Sequence, residues 1–423
     1  MKRILSAAIA ALCFITTYQA EAQVFNPVRG CVVDGPTGDC IPNTLLTAMP
    51  FLRIAPDARG GAMGDVGITM NPDANSLYYN ASNLAFAEDK TSLALTYTPW
   101  LRQLNLNDVF LLYMSGYNKL NDQETVGAAL RYFSLGEINF TDTQGNPIGD
   151  GQPRELEFLV SYARKLGDNF AASLSAKYVY SNLASGVVVN GVNINSANAF
   201  AADVSLTYRK DTRVGGYKSR WTYGLALSNL GSKVSYTDEN LVRDFLPANL
   251  GLGAGLFMEM DEYNTLAFSL ELNKLLVPSP ISSTLVDPND PEGTIDNPDF
   301  DKDGNGIADY REKALFSGVL GSFGDAQGGF GEELNEFAIS FGAEYWYDKQ
   351  FAVRAGYYYE HPEKGDRQYL TVGVGVQYNV FGINLAYLVP TNNRRNPLDN
   401  TLRFSLLFDF EGYKLQNAAD LDE

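Results

Sequence analysis

The sequence predicts an all-β fold, a single 14-stranded antiparallel transmembrane β-barrel with an N-terminal plug-like segment. Three observations predict it. The chain opens with an export signal, its later segments alternate apolar with small or polar residues over about ten positions at a time, and its connections alternate between short and long.

The signal occupies residues 1–22. Lys2 and Arg3 precede an apolar run from Ile4 to Ile15, and Ala20-Glu21-Ala22 stands before Gln23, where the mature chain is expected to begin. Cys13 is not read as a lipid-bearing cysteine, because the apolar run continues past it through Phe14 and Ile15. No later segment approaches the ~20 apolar residues of a spanning helix, so membrane crossing falls to strands. With 25 Tyr, 24 Phe and only 19% charged residues, the composition supplies an aromatic wall.

The alternation is clearest where one face is aromatic or aliphatic and the other small or charged. Leu402, Phe404, Leu406, Phe408 and Phe410 share one face, and Arg403, Ser405, Leu407 and Asp409 the other. Phe200, Ala202, Val204, Leu206 and Tyr208 alternate with Asp203, Ser205, Thr207 and Arg209, and Phe351, Val353, Ala355, Tyr357 and Tyr359 alternate with Arg354, Gly356 and Glu360. Fourteen strands follow, near 90–100, 107–117, 123–133, 155–165, 169–181, 199–209, 220–230, 248–257, 263–273, 334–347, 350–361, 367–379, 380–389 and 400–410. Strands of a soluble sandwich or propeller run nearer 5 or 6 residues.

Links at 118–122, 166–168, 210–219, 258–262, 348–349 and Asn379 to Gly382 are short. Those at 134–154, 182–198, 231–247 and 274–333 are long, and all become extracellular if the first strand runs outward from a periplasmic N-terminus. The chain therefore divides into signal peptide 1–22, plug segment 23–89, barrel 90–410 with its long extracellular loop 274–333, and an acidic tail 411–423. Gly, Pro, Asn and Asp dominate residues 23–89, and Gly60-Gly61-Ala62-Met63-Gly64 would let backbone pack closely inside a lumen.

Two cysteines survive processing, Cys31 and Cys40, and an oxidising periplasm permits one disulfide between them. A Cys/His zinc site is excluded, since His361 is the only histidine. The net charge of −18 argues against nucleic acid as a partner and fits solvated loops.

The most specific local pattern is Asp301 to Glu312, which fits the twelve-residue EF-hand loop position by position. Asp301, Asp303 and Asn305 would offer side-chain oxygens, Gly306 the sharp turn, Ile307 its carbonyl, Asp309 a contact through water and Glu312 both carboxylate oxygens. Hard oxygen ligands at this spacing suit Ca²⁺, bound as a clip that orders the longest outer loop. The alternative is a solvated acidic turn.

Catalysis is not expected. One histidine removes most nucleophile–base pairings, no Gly-x-Ser-x-Gly elbow occurs, and Gly251-Leu-Gly253-Ala-Gly255 lies in a strand, where it reads as small residues in a wall. Arg131, Arg164, Lys177, Asp203, Arg209, Arg354 and Arg403 are read as lumen-facing, either lining a polar path or closing the interior around a plug through salt bridges.

Several stretches together resemble the PorV family of the type IX secretion system. They are Phe51 to Asp65, Asn71 to Asn80, Tyr97 to Arg102, Ser322 to Glu332 and Pro390 to Phe404. The resemblance covers most of residues 46–410 and implies a FadL-like fourteen-stranded barrel in the outer membrane, in contact with its lipid, in a member of the Bacteroidota. It implies a component that binds cargo proteins through their C-terminal signal domains at a giant translocon barrel and escorts them to a surface attachment complex with a sortase-like protease. The EF-hand-like insert and the acidic tail are additions to the family pattern. A FadL-like transporter of small hydrophobic compounds is the second reading, and a passive porin the third.

Overall fold

The computed structural model describes residues 23–101, 106, 108–141, 145, 147–189, 192–237, 243–392 and 401–410. The signal 1–22 and the tail 411–423 lie outside them, as does most of the Pro390 to Phe404 stretch.

Fourteen antiparallel strands close into one barrel. In chain order they are β1 Thr91–Pro99, β2 Val109–Lys119, β3 Glu124–Leu135, β4 Arg154–Lys165, β5 Phe170–Asn182, β6 Ala197–Val214 and β7 Tyr217–Gly231. The second half comprises β8 Asn249–Glu259, β9 Asn264–Leu275, β10 Phe337–Tyr347, β11 Phe351–Tyr359, β12 Gln368–Tyr378, β13 Phe381–Pro390 and β14 Leu402–Asp409. Each pairs with its sequence neighbours, and β14 closes on β1 with Phe404 opposite Tyr97 and Asp409 opposite Ser92. Closure leaves no unpaired edge, which is the condition for a sheet to cross hydrocarbon.

The expected faces are present. Leu402 and Phe404 are exposed on the lipid side while Arg403, Ser405 and Leu407 are buried inward, and Phe351 and Val353 alternate with buried Ala352 and Arg354 in the same way. Two boundaries differ from expectation. The polar run Lys210 to Val214 continues β6 instead of forming a link, because Gly215 and Gly216, both at positive φ, make a two-residue hairpin to β7. The segment before Phe337 forms a short helix, so β10 begins there.

All the short turns gather at one rim and all the long connections at the other, which makes the first periplasmic and the second the outer mouth. The described N-terminus is not periplasmic. Gln23–Asn26 pairs in parallel with Thr284–Asp287 of the long outer loop and antiparallel with Cys31–Asp34. The Asn43 amide donates to the Glu363 carbonyl and the Ala48 amide to that of Phe245, both in outer connections. From there the chain descends the lumen and reaches the periplasmic rim as β1 begins.

The descending segment carries short helices, α1 Ala58–Gly61 and α2 Ser76–Tyr79, and a 3-10 turn, Ala81–Phe86. It fills the barrel in three layers. Towards the outer mouth, Met49, Phe51 and Leu52 pack against inward wall residues that include Trp100, Leu111, Phe133, Val179, Tyr358 and Leu388. Towards the periplasm, Leu77, Leu84 and Ala85 pack against Tyr113, Tyr117, Leu159 and Leu407. A polar, charged layer lies between them.

Candidate functional site: a plugged lumen beneath an ordered outer mouth

The central layer is built from charges that the descending segment brings to the wall. The Asp57 side chain caps α1, accepting from the Gly60 amide at 2.9 Å and from the Tyr79 hydroxyl at 2.7 Å. Two residues on, the Arg59 guanidinium donates to both carboxylate oxygens of Glu344 on β10, at 2.9 and 2.8 Å, and to Asp73 at 2.9 Å. Arg354 on β11 donates to the same Glu344 at 2.6 Å. Asp65 accepts from Arg403 at 2.5 Å and from the Tyr369 hydroxyl at 2.6 Å. Planar guanidinium–carboxylate pairing of this kind fixes orientation as well as charge.

Backbone amides of the segment are taken up by the wall. Glu271 accepts from Gly67 and Ile68 at 2.8 and 2.6 Å, Thr371 from Gly64 at 2.8 Å and Ser405 from Ala58 at 2.8 Å. Such contacts satisfy amides that neither helix nor sheet can serve. The approach is close: a Cβ on Gly356 would stand 2.0 Å from the Met63 carbonyl carbon. The Gly251, Gly253, Gly255 row faces Ile68 and Thr69, so those glycines are wall residues cut back to admit the plug.

The inward charges predicted from sequence mostly take the structural role. Arg131 pairs with Glu157 at 3.1 Å and donates to the Phe51 carbonyl at 3.0 Å, and Lys177 joins Glu157 to Asp203 at 3.3 and 2.8 Å. Arg354 and Arg403 belong to the plug contacts above, and Arg209 lies over the Phe86 ring near the periplasmic rim. Arg164 is a correction. Its side chain lies on the outer face and pairs with Glu124 at 3.3 Å, because Ala163 takes the inward position in β4. Charge is tolerated there because the site is at the membrane's edge.

Sequence reading missed Asp57, Arg59, Asp65, Asp73, Glu271 and Glu344. Lone charges in an otherwise small, apolar stretch were the available signal for the first three, and inward parity on their strands for the two glutamates.

Above the charged layer a cavity of about 120 Å³ opens, lined by both polar and apolar groups. Arg53, Lys177, Asn229, Glu271, Glu336, Glu360, Lys364 and Arg367 are among its lining groups. At its mouth Glu360 pairs with Arg367 at 2.7 Å and with Arg53 at 3.1 Å. Burial alone would raise that carboxyl, but the two guanidinium groups hold it below its ordinary value. The link is therefore present above the ordinary carboxylate pKa and lost as pH falls through the depressed one.

The EF-hand-like loop lies exposed in the long outer connection. Asp301 accepts from the amides of Gly304, Asn305 and Gly306 at 2.8, 3.2 and 2.7 Å, which lowers its carboxyl pKa. Carboxylate oxygens of Asp301, Asp303 and Asp309 lie within 4.8 Å of one another. Asn305 donates to Asp303 at 3.1 Å and to Glu312 at 3.0 Å, and its own oxygen accepts from the Ile307 amide at 2.7 Å. Asp309–Glu312 forms a helical turn, α3. Cys31 and Cys40 are joined in the small outer sheet, their Cα atoms 5.8 Å apart.

Removing the carboxylate of Glu344 would leave Arg354 buried without a carboxylate partner and Arg59 with Asp73 alone. Breaking a buried pair from one side destabilises by about 3–5 kcal/mol. Glu344→Ala is therefore expected to lower markedly the temperature at which the detergent-folded barrel loses its compact electrophoretic form. An unchanged transition would mean that these pairs do not hold the plug.

Comparison with known proteins bears on identity. Among curated proteins none matches this chain. Similar solved structures include the Pseudomonas putida toluene transporter TodX, at 12% identity over 84% of this chain and 98% of that one, with a TM-score of 0.46. The Ralstonia pickettii toluene transporter TbuX gives 12%, 84%, 96% and 0.43, and a Pseudomonas aeruginosa FadL homologue 10%, 88%, 100% and 0.39. The model of the family described as type IX secretion system protein PorV matches residues 39–282, more than half of the chain, including the whole descending segment and the first half of the barrel. The chain therefore belongs to the PorV family, as a non-enzymatic outer-membrane component of the type IX secretion system.

Proposed function

We propose that the chain works through its outer mouth, binding secreted cargo by its C-terminal signal domain at the giant translocon barrel and escorting it to the sortase-like attachment complex on the surface. The observation that carries this reading is the combination of a lumen occupied by the plug with a mouth whose described parts are tied together. Plug strand Gln23–Asn26, loop strand Thr284–Asp287 and the Glu332, Glu336 and Lys364 cluster tie the N-terminal segment and two outer connections into one body. Such a body offers a partner a surface that needs little ordering on binding. The second reading, a transporter of small hydrophobic compounds, requires an apolar binding pocket, whereas the cavity here mixes charged groups such as Arg53, Glu271 and Lys364 with apolar ones such as Leu52 and Leu275.

Gentle detergent purification of a tagged chain from its native membrane, with mass spectrometry of what accompanies it, tests the reading. We expect a very large barrel protein together with secreted proteins sharing a C-terminal domain. Deletion of Thr284–Asp296 should lose the secreted proteins while the barrel still folds. Recovery of the chain alone, with fatty acid or another apolar molecule, would favour the transporter.

We further propose that the Asp301 to Glu312 loop takes Ca²⁺ and that the Cys31–Cys40 link is a native staple of the same mouth. Calorimetric titration of the full chain should show binding in the range of about 10⁻⁴ to 10⁻³ M typical of extracellular loops. Glu312→Gln, which removes the two-oxygen ligand, should weaken it. Equal heats from parent and variant would remove calcium from the account.

A further inference from the structure

The long outer connection contains two helices at the rim of the mouth, one side of them turned to the mouth and the other outward. These are α4 Leu315–Gly321 and α5 Phe330–Asn335. Val319 of α4 packs in one cluster with Ala248 and Leu276, against which Leu227, Leu230, Leu250 and Leu315 also lie. Leu227 of β7 is the register partner of Leu250 on β8, and Leu252, two residues along the same face, is exposed to lipid. The helix α4 therefore lies against the outside of the barrel wall, at the outer ends of β7, β8 and β9.

Lys274 supports the same placement. It pairs in register with Leu250 and Phe337, and Leu272 on its own strand and face is exposed on the lipid side. A lysine facing lipid is costly. Here it is fully enclosed, held by Glu333 at 3.1 Å and Glu336 at 2.5 Å, with the Phe323 and Phe337 rings close by.

This segment turns its charges inward and its apolar groups out. Glu332, Glu333 and Glu336 are buried and paired, and Asp325 accepts from Lys313. Phe316, Leu320, Phe330 and Leu334 are 74%, 73%, 79% and 53% exposed, and no charged residue between Ala314 and Asn335 belongs to the exposed class. The preceding stretch from Asp287 to Asp303 exposes acidic residues instead, as a water-facing loop does. An uncharged apolar face of this kind, continuous with the lipid-facing surface of the wall, marks an interaction site.

We propose that α4 and α5 form a membrane-embedded shelf, with Phe316, Leu320, Phe323, Phe330 and Leu334 seated among the acyl chains of the outer leaflet. The shelf widens the lipid contact on the β7 to β10 side and anchors the long loop at both ends of its helical part.

The test uses the purified full chain in lipid bilayers with a nitroxide at Phe316→Cys or Leu320→Cys, the native cysteines being joined to each other. Phe341→Cys on the wall and Asp303→Cys in the acidic stretch serve as references. Collision with molecular oxygen and with a water-soluble nickel chelate is measured at each site. The shelf predicts a Phe341-like pattern at both helix positions, with high oxygen and low nickel accessibility. If either substitution prevents folding, Leu334→Cys provides the same reading. Nickel accessibility equal to that at Asp303 would overturn the proposal. So would protection that appears only when the translocon is added, which would assign the face to a protein partner.

Discussion

The fold depends on the Glu344 carboxylate inside the barrel, which pairs with both Arg59 and Arg354 while Arg59 also pairs with Asp73. A closed ring of fourteen strands encloses more space than its own inward side chains can fill. The chain fills it with its own N-terminal segment, and that choice brings backbone amides and charges into an enclosed space. Each must find a partner there, because an unpaired buried charge or amide is destabilising. The inner wall is accordingly polar where the plug is polar, with Glu271, Glu344, Thr371, Arg403 and Ser405 facing it. It is apolar above and below, where Phe51 and Leu77 pack.

The barrel was legible in the sequence because lipid imposes a strict period of two on every strand that meets it. Phe351 to Tyr359 and Leu402 to Asp409 can be assigned to faces residue by residue on that ground alone. Where lipid stops, the period weakens. Lys210 to Thr212 therefore read as a link although β6 continues through them, and Arg164 read as inward when it sits outward at the edge. The plug contacts were not legible, since Arg59 meets Glu344 across 285 residues and no local pattern encodes that distance. The stretches that carry the family resemblance, Phe51 to Asp65 and Asn71 to Asn80, turn out to contain Asp57, Arg59, Asp65 and Asp73. The EF-hand spacing was visible because all its residues are local.

The three layers in the lumen and the ordered mouth assign different work to different parts of the chain. The wall and plug are joined by hydrogen bonds and ion pairs into one unit in the outer membrane. The N-terminal strand, the 276–312 part of the long connection and the 360–367 connection sit on it as a surface, and Lys364 joins that surface to Glu332 and Glu336 of the helical part. On the proposed reading, recognition takes place on that surface and the lumen carries no traffic. The cavity has Asp65 and Glu271 of the charged layer in its lining.

The most direct test of this account is the conductance of the purified full chain in a planar lipid bilayer. A barrel locked by its plug predicts no steady open-channel current from the parent, and current events appearing when Arg59→Ala and Glu344→Ala are combined. A steady current from the parent chain would contradict the account, since the lumen would then be open and the outer mouth the entrance to a channel.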